Sequence, residues 1–144
     1  MDIPIHFLSR NAVAPRRAHG DDAAIDLHSV EAVSIPAGER AVVPTGLAIA
    51  IPAGYAGLVV PRAGLAAEHG ITIVNSPGLI DPGYRGEIKV VLANSDPSRA
   101  FECKEGDRIA QLLVVPIAMV SLIESDELDE TARGVGGFGS TGTS

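Results

Sequence analysis

Apolar positions in this chain fall in short Val/Ile/Leu-rich runs, and the breaks between them are supplied by 16 glycines and 10 prolines. Short runs bounded by turn formers mark strands, whereas a long helix would need an apolar face repeating every three or four residues. The pattern predicts strands at Ile3–Leu8, Ala24–Leu27, Val33–Ile35, Arg40–Pro44, Leu47–Ile51, Gly57–Val60, Ile71–Val74, Glu87–Ala93, Ala100–Cys103, Arg108–Val115 and Met119–Leu122. They recur about every 8–12 residues, the interval of a sandwich or barrel, so the fold is expected to be all-β. Turn chemistry supports the cuts, with bends at Pro36-Ala37-Gly38, Pro52-Ala53-Gly54, Asp81-Pro82-Gly83 and Glu105-Gly106-Asp107. Only Leu65–His69 invites a helix, of one turn at most.

Beyond Leu122 the pattern stops. Glu124 to Glu130 is acidic, and Gly134 to Ser144 is rich in Gly, Ser and Thr with little to bury. The chain therefore divides into a folded domain over 1–123 and a mobile tail over 124–144. A solvated end is one reading of that tail. The other starts from Arg133 and Phe138, a cation and an aromatic among glycines, which suit a segment that folds over a charged, planar ligand.

Composition narrows the choices. With 144 residues and 46% apolar content, one domain can bury a real core. A formal charge of −7 without a Lys/Arg cluster argues against an electrostatic grip on nucleic acid. The single cysteine, Cys103, leaves no intramolecular disulfide, and the four histidines are too scattered for a Cys/His zinc site. No apolar run approaches the roughly 20 residues that span a bilayer, and no signal peptide is evident. These features predict a soluble cytoplasmic protein.

Polar residues nonetheless interrupt apolar surroundings at four places: Ala24-Ile25-Asp26-Leu27-His28, Pro61-Arg62-Ala63-Gly64-Leu65, Gly78 to Gly86, and Gly106-Asp107-Arg108-Ile109-Ala110-Gln111-Leu112. Asp81 before Pro-Gly is either a bend former or a catalytic carboxylate. Alternation along a strand sets Asp26 opposite Ile25 and Leu27, in solvent or in a site. Arg62 reads equally as a surface arginine, and His28 and His69 read as surface or packing residues. Gln111, within a run too apolar for an unpaired amide, needs a phosphate or a backbone group as partner.

Taken in order with the tail, these segments resemble the five motifs of the homotrimeric dUTPase family. The resemblance spans about residues 20–142 and is carried most specifically by Gly-Leu-Ile-Asp…Tyr-Arg-Gly-Glu, Gly-Asp-Arg-Ile-Ala-Gln and the terminal Arg-Gly-x-Gly-Gly-Phe-Gly-Ser-Thr-Gly. It implies a jelly-roll-like β-sandwich, a homotrimer with active sites at subunit interfaces, and Mg²⁺-dependent hydrolysis of dUTP to dUMP and pyrophosphate. It implies that Asp81 activates the attacking water and that Tyr84 lies against the deoxyribose. The hairpin from Asn75 to Tyr84, with Gly78 and Ile80, matches the pocket whose backbone reads the uracil edge, and Lys89 matches a further substrate-binding position. Asp26 helps organise the metal's water shell, the metal itself being held mainly by the substrate phosphates. Arg62, Ala63, Gly64 and Gln111 match the phosphate region. In the tail, Arg133, Gly136, Gly137, Phe138 and Gly139 match groups that close over the substrate, with Phe138 stacking on uracil.

Three positions depart from the family pattern. Ala63 stands where a serine normally contacts an oxygen between the α- and β-phosphates, which implies a slower enzyme. Ala24 replaces a glycine, and Pro82-Gly83 stands where a second acidic residue often follows the catalytic aspartate. Two other functions fit parts of the sequence: a dCTP deaminase of the same superfamily, although its Arg-Ser-Ser-type motif is missing, and a regulatory module whose tail is ordered by nucleotide.

Overall fold

A computed structural model of the chain describes residues 1–137. Its strands are β1 (Ile5–Phe7), β2 (Ile25–His28), β3 (Val33–Ile35), β4 (Arg40–Pro44), β5 (Leu47–Ile49), β6 (Tyr55–Val60), β7 (Ile71–Ile73), β8 (Gly78–Ile80), β9 (Lys89–Asn94), β10 (Phe101–Cys103) and β11 (Arg108–Pro116), with one helix, α1 (Ala63–His69), between β6 and β7. A four-stranded sheet runs β2-β11-β6-β8, a three-stranded sheet runs β4-β9-β7, and two-stranded ladders join β1 to β5 and β3 to β10. All pairs are antiparallel, and none joins strands consecutive in the chain. This crossing connectivity is that of a jelly-roll-like β-sandwich, as expected.

The core is aliphatic. Leu27, Ile35, Val43, Leu47, Ile71, Ile88, Val90, Leu92, Ile109 and Leu112 are buried and form one cluster between the sheets. Strand β9 shows how alternation builds it: Val90, Leu92 and Asn94 point inward while Lys89, Val91 and Ala93 remain wetter. The predicted bends close as turns, through Glu39 N–H to Pro36 O (3.1 Å), Tyr55 N–H to Pro52 O (3.2 Å), Tyr84 N–H to Asp81 O (3.1 Å) and Asp107 N–H to Lys104 O (3.1 Å). Gly38, Gly54 and Gly106 adopt φ of 75°, 82° and 82°, the left-handed third position that a type II turn demands.

Three expectations change. Helix α1 has seven residues, starting at Ala63 rather than Leu65, because Ala63, Leu65, Ala66 and Ala67 favour helix strongly enough to carry Gly64. Gly70, at φ 66°, ends it by donating its N–H to the carbonyls of Ala66 and Leu65. Strand β8 was not among the expected strands, since a three-residue run between Pro77 and Pro82 is too short to stand out. It pairs with β6 by matching Gly78 to Val59 and Ile80 to Gly57. A Cβ on Gly57 would sit 3.1 Å from Ile80 Cβ, so this glycine lets β8 close onto β6. Finally, Met119–Leu122 is not a strand: Met119, Val120 and Leu122 stand 75% or more exposed, packed against no sheet among the described residues.

Candidate active site

Two groups of candidate residues form, at opposite edges of the four-stranded sheet. The first follows β8, whose last residue, Ile80, delivers the chain into the Asp81-Pro82-Gly83-Tyr84 turn. Arg85 clamps that turn by donating from Nη1 to the carbonyls of Pro82 (2.7 Å) and Tyr84 (2.8 Å). Between the turn and β9 lies a cleft of 390 Å³ lined by Asn75, Gly78, Ile80, Asp81, Tyr84 and Lys89 among others. Its floor is apolar, from Val59, Ile73, Ile88 and Val90, and its rim carries the polar groups. This is the usual composition of a small-molecule site. Asp81 is exposed at the mouth, and Gly78 lies in van der Waals range of Asn75 (its Cβ would be 3.6 Å from Nδ2).

The second group surrounds Asp26, a carboxylate only 7% exposed on β2. The β2-β11-β6 register places Asp26 opposite Gln111, and Gln111 opposite Val60 on its other side. Two residues past Val60 the chain reaches Arg62, whose Nε stands 3.4 Å from Asp26 Oδ1 and whose Nη1 donates to the Arg108 carbonyl at 3.2 Å. Arg108 Nη1 donates to Asp26 Oδ2 at 3.3 Å. Despite this company, Asp26 Oδ1 is buried without a hydrogen-bond partner. Ala63 and Gly64 open α1 beside Arg62, both exposed, and a Cβ on Gly64 would meet nothing within 4 Å. Gln111 is half-buried rather than enclosed, so the premise that its amide must be paired inside an apolar strand does not hold.

Against known proteins, a family model described as dUTPase matches residues 10–142. The deoxyuridine 5'-triphosphate nucleotidohydrolase of Nocardia farcinica is 51% identical over 97% of this chain and 85% of its own length. That of Thermobifida fusca is 52% identical over 97% of this chain and 78% of its own. The chain belongs to the dUTPase family. Among solved dUTPase structures, that of Staphylococcus bacteriophage 80alpha with dUPNHPP is 31% identical, with a TM-score of 0.91 and 99% of each chain covered. A mutant dUTPase of phage phi11 of S. aureus, 30% identical with a TM-score of 0.83 over 88% of this chain and 98% of that one, is described with a structural Mg(II) ion.

Within this dUTPase-family chain the two groups do not meet. The Asp81 cleft shares no lining residue with the clefts beside Asp26 and Arg62. Sheet geometry explains why: Asp26 and Asp81 are three strand spacings of ~4.8 Å apart across the sheet and offset by about four residues of ~3.3 Å along it, or roughly 20 Å. The described part of the tail belongs to neither group. Arg133 turns back on its own segment, donating from Nε to the Gly136 carbonyl at 3.0 Å, and Gly136 and Gly137 are half-buried. Phe138 and Gly139 lie outside the described residues.

Two residues gain importance that sequence reasoning did not give them. Arg108, quoted only as part of a motif, is a direct partner of Asp26; the signal was its place opposite His28 in the β2-β11 ladder. His28 lines the same cleft as Asp26 and Arg108 rather than lying on an indifferent surface. Burial holds its imidazole below the ordinary pKa; the Asp26 carboxylate pulls upward, and Arg108 and Arg62 push down. Among the described residues no three His, Cys, Asp or Glu side chains converge as a metal cage. No described helix is long and apolar enough to cross a membrane.

Proposed function

We propose that this chain hydrolyses dUTP to dUMP and pyrophosphate, as a dUTP diphosphatase. The observation that carries the reading is the cleft joining Asn75, Asp81 and Tyr84 over an apolar floor, in a chain of the dUTPase family. Water is a weak nucleophile at neutral pH, and Asp81 at the cleft mouth serves as its general base. As the water oxygen bonds to the α-phosphorus, Asp81 takes its proton, the bond from the α-phosphorus to the bridging oxygen breaks, and pyrophosphate leaves with the electron pair. A positioned base of this kind contributes about 10²–10⁴-fold. Tyr84 packs against the deoxyribose where a 2′-hydroxyl would collide. The Asn75 to Ile80 segment, with Lys89, surrounds uracil; a pocket this close leaves no room for thymine's methyl group, and cytosine would set donor against donor.

Arg62, Gln111 and the backbone at Ala63 and Gly64 take the phosphates, with Arg133, Gly136, Gly137, Phe138 and Gly139 of the 124–144 tail closing over the substrate and excluding water. The residues fit Mg²⁺ in a particular way. No His/Cys/Asp/Glu cage for it forms among the described residues, but the orphaned Oδ1 of Asp26 offers an acceptor for a water of its shell, the mode suited to a cation held chiefly by substrate oxygens. When bound, Mg²⁺ neutralises triphosphate charge.

Because some 20 Å separates Asp81 from Asp26 within one chain by strand spacing, each complete site takes its base and its phosphate group from different copies. The exposed apolar side chains of Met119, Val120, Leu122 and Ile123 further favour assembly, and the family resemblance favours a homotrimer. The reading is tested by pyrophosphate release from dUTP, dCTP, dTTP and UTP, with and without Mg²⁺, using the chain and its Asp81→Asn variant. Selective, Mg²⁺-dependent turnover of dUTP that falls at least about 100-fold in the variant is expected. Equal turnover by the variant removes Asp81 from the mechanism. Mixing Asp81→Asn with Arg62→Gln subunits should restore activity that neither has alone; no restoration would mean that sites are not shared.

A further inference from the structure

Gly86 follows the Asp81 turn in Tyr84-Arg85-Gly86-Glu87. The described glycines in the left-handed region are Gly38, Gly46, Gly54, Gly70, Gly106 and Gly134, so backbone freedom does not explain a glycine at position 86. Its neighbour does. A Cβ on Gly86 would lie 2.5 Å from Tyr84 Oη, 2.7 Å from Cζ and 3.0 Å from Cε2. The far end of the Tyr84 ring thus rests on the bare backbone of Gly86. One hydrogen bond secures the tip, from Tyr84 Oη to the Glu87 carbonyl at 2.9 Å. Tyr84 as a whole is 43% exposed.

Tyr84 lines the cleft and Gly86 does not. A Cβ on Gly86 would meet the tip of this cleft-lining ring, so any side chain there displaces the tip from its place at the cleft. We propose that Gly86 is a positioning residue for specificity: by leaving space for the ring tip it sets where Tyr84 stands at the cleft, and hence the room left for the sugar. The inference rests on the reading of Tyr84 as the deoxyribose wall. Restoring an ordinary contact from 2.5 Å requires the tip to move by about 1 Å, a displacement that costs activity on the order of tenfold or more in a fitted site. The yielding part is the end of a rotatable side chain, so folding should be spared.

The test compares Gly86→Ala in the natural chain and in a Tyr84→Ala background, measuring kcat and KM for dUTP and UTP together with Tm. We expect Gly86→Ala alone to raise the KM for dUTP about tenfold or more, with a smaller change in kcat and Tm nearly unchanged. In the Tyr84→Ala background the same substitution should leave the KM unaltered, because no ring remains to be displaced. An equal effect in both backgrounds, no effect on KM in the natural chain, or loss of folding by Gly86→Ala would each overturn the proposal. The reading of Tyr84 fails separately, if Tyr84→Ala leaves the dUTP-to-UTP ratio of kcat/KM as it was.

Discussion

Replacing Asp26 by Asn removes one negative charge from between two guanidinium groups and changes little else in shape. Each ion pair, at 3.4 and 3.3 Å, has a gross attraction of about 5 kcal/mol at an effective dielectric near 20. Much of this is offset by the cost of burying the carboxylate, so the net effect is better judged from what the substitution leaves behind. Taking one partner from a buried pair typically costs about 3–5 kcal/mol. Arg62 is 23% exposed and Arg108 48%, so the second of these recovers part of its hydration when its partner loses charge. That places the expected loss at about 2–3 kcal/mol. Urea unfolding at fixed protomer concentration, since assembly shifts apparent stability, should show a midpoint lower by roughly 1–1.5 M for an m-value near 2 kcal/mol/M. Asp81→Asn, the same chemical change on an exposed carboxylate, should shift stability by less than about 0.5 kcal/mol. If the two variants unfold together, the Asp26 cluster has no structural share and the argument fails.

Two further outcomes are expected. Ala63 is exposed, so Ala63→Ser disturbs no packing and costs at most about 0.5 kcal/mol of helix propensity, while a restored hydroxyl to a charged phosphate is worth roughly 1.5–3 kcal/mol and should raise kcat about 10–100-fold in steady-state assays; an unchanged or lower kcat counts against that contact. Asp96 is held down to about 2, first by the backbone N–H groups of Ser98 and Arg99 and then by the Arg99 side chain. Its folded pKa is below its unfolded one, so its contribution is full above about pH 4 and is lost as pH falls toward 2. Asp96→Asn should flatten the fall in urea midpoint across that window, and an unaltered slope would contradict the assignment.

The strand plan was legible because aliphatic alternation and Gly/Pro bends are local: β3 and β4 lie where the pattern puts them, and the predicted bends close as turns. Strand β8 escaped notice because its reason is not local. Gly78 and Ile80 are strand residues only because β6 offers Val59 and Gly57 opposite them. The role of Arg108 was hidden for the same cause, since its partner Asp26 is 82 positions away. Ala63 begins α1 because intrinsic propensity there outweighs the glycine that follows. The candidate site residues were readable as types in an order, from resemblance. That they divide between two edges of one sheet needed the register of β2, β11, β6 and β8.

The same sheet bears on how the chain is made. Strand β11 is central, flanked by β2 and β6, yet it is the last of the described strands in chain order. Until residues 108–116 leave the ribosome, β2 and β6 have no shared neighbour, and the Asp26 carboxylate has neither Gln111 opposite nor Arg108 beside it. With every ladder joining non-consecutive strands, loop closure must come before reward, and folding should be slow for a domain of this size. Nascent chains stalled before β11 would expose both strand edges, the state in which β-rich proteins aggregate most readily.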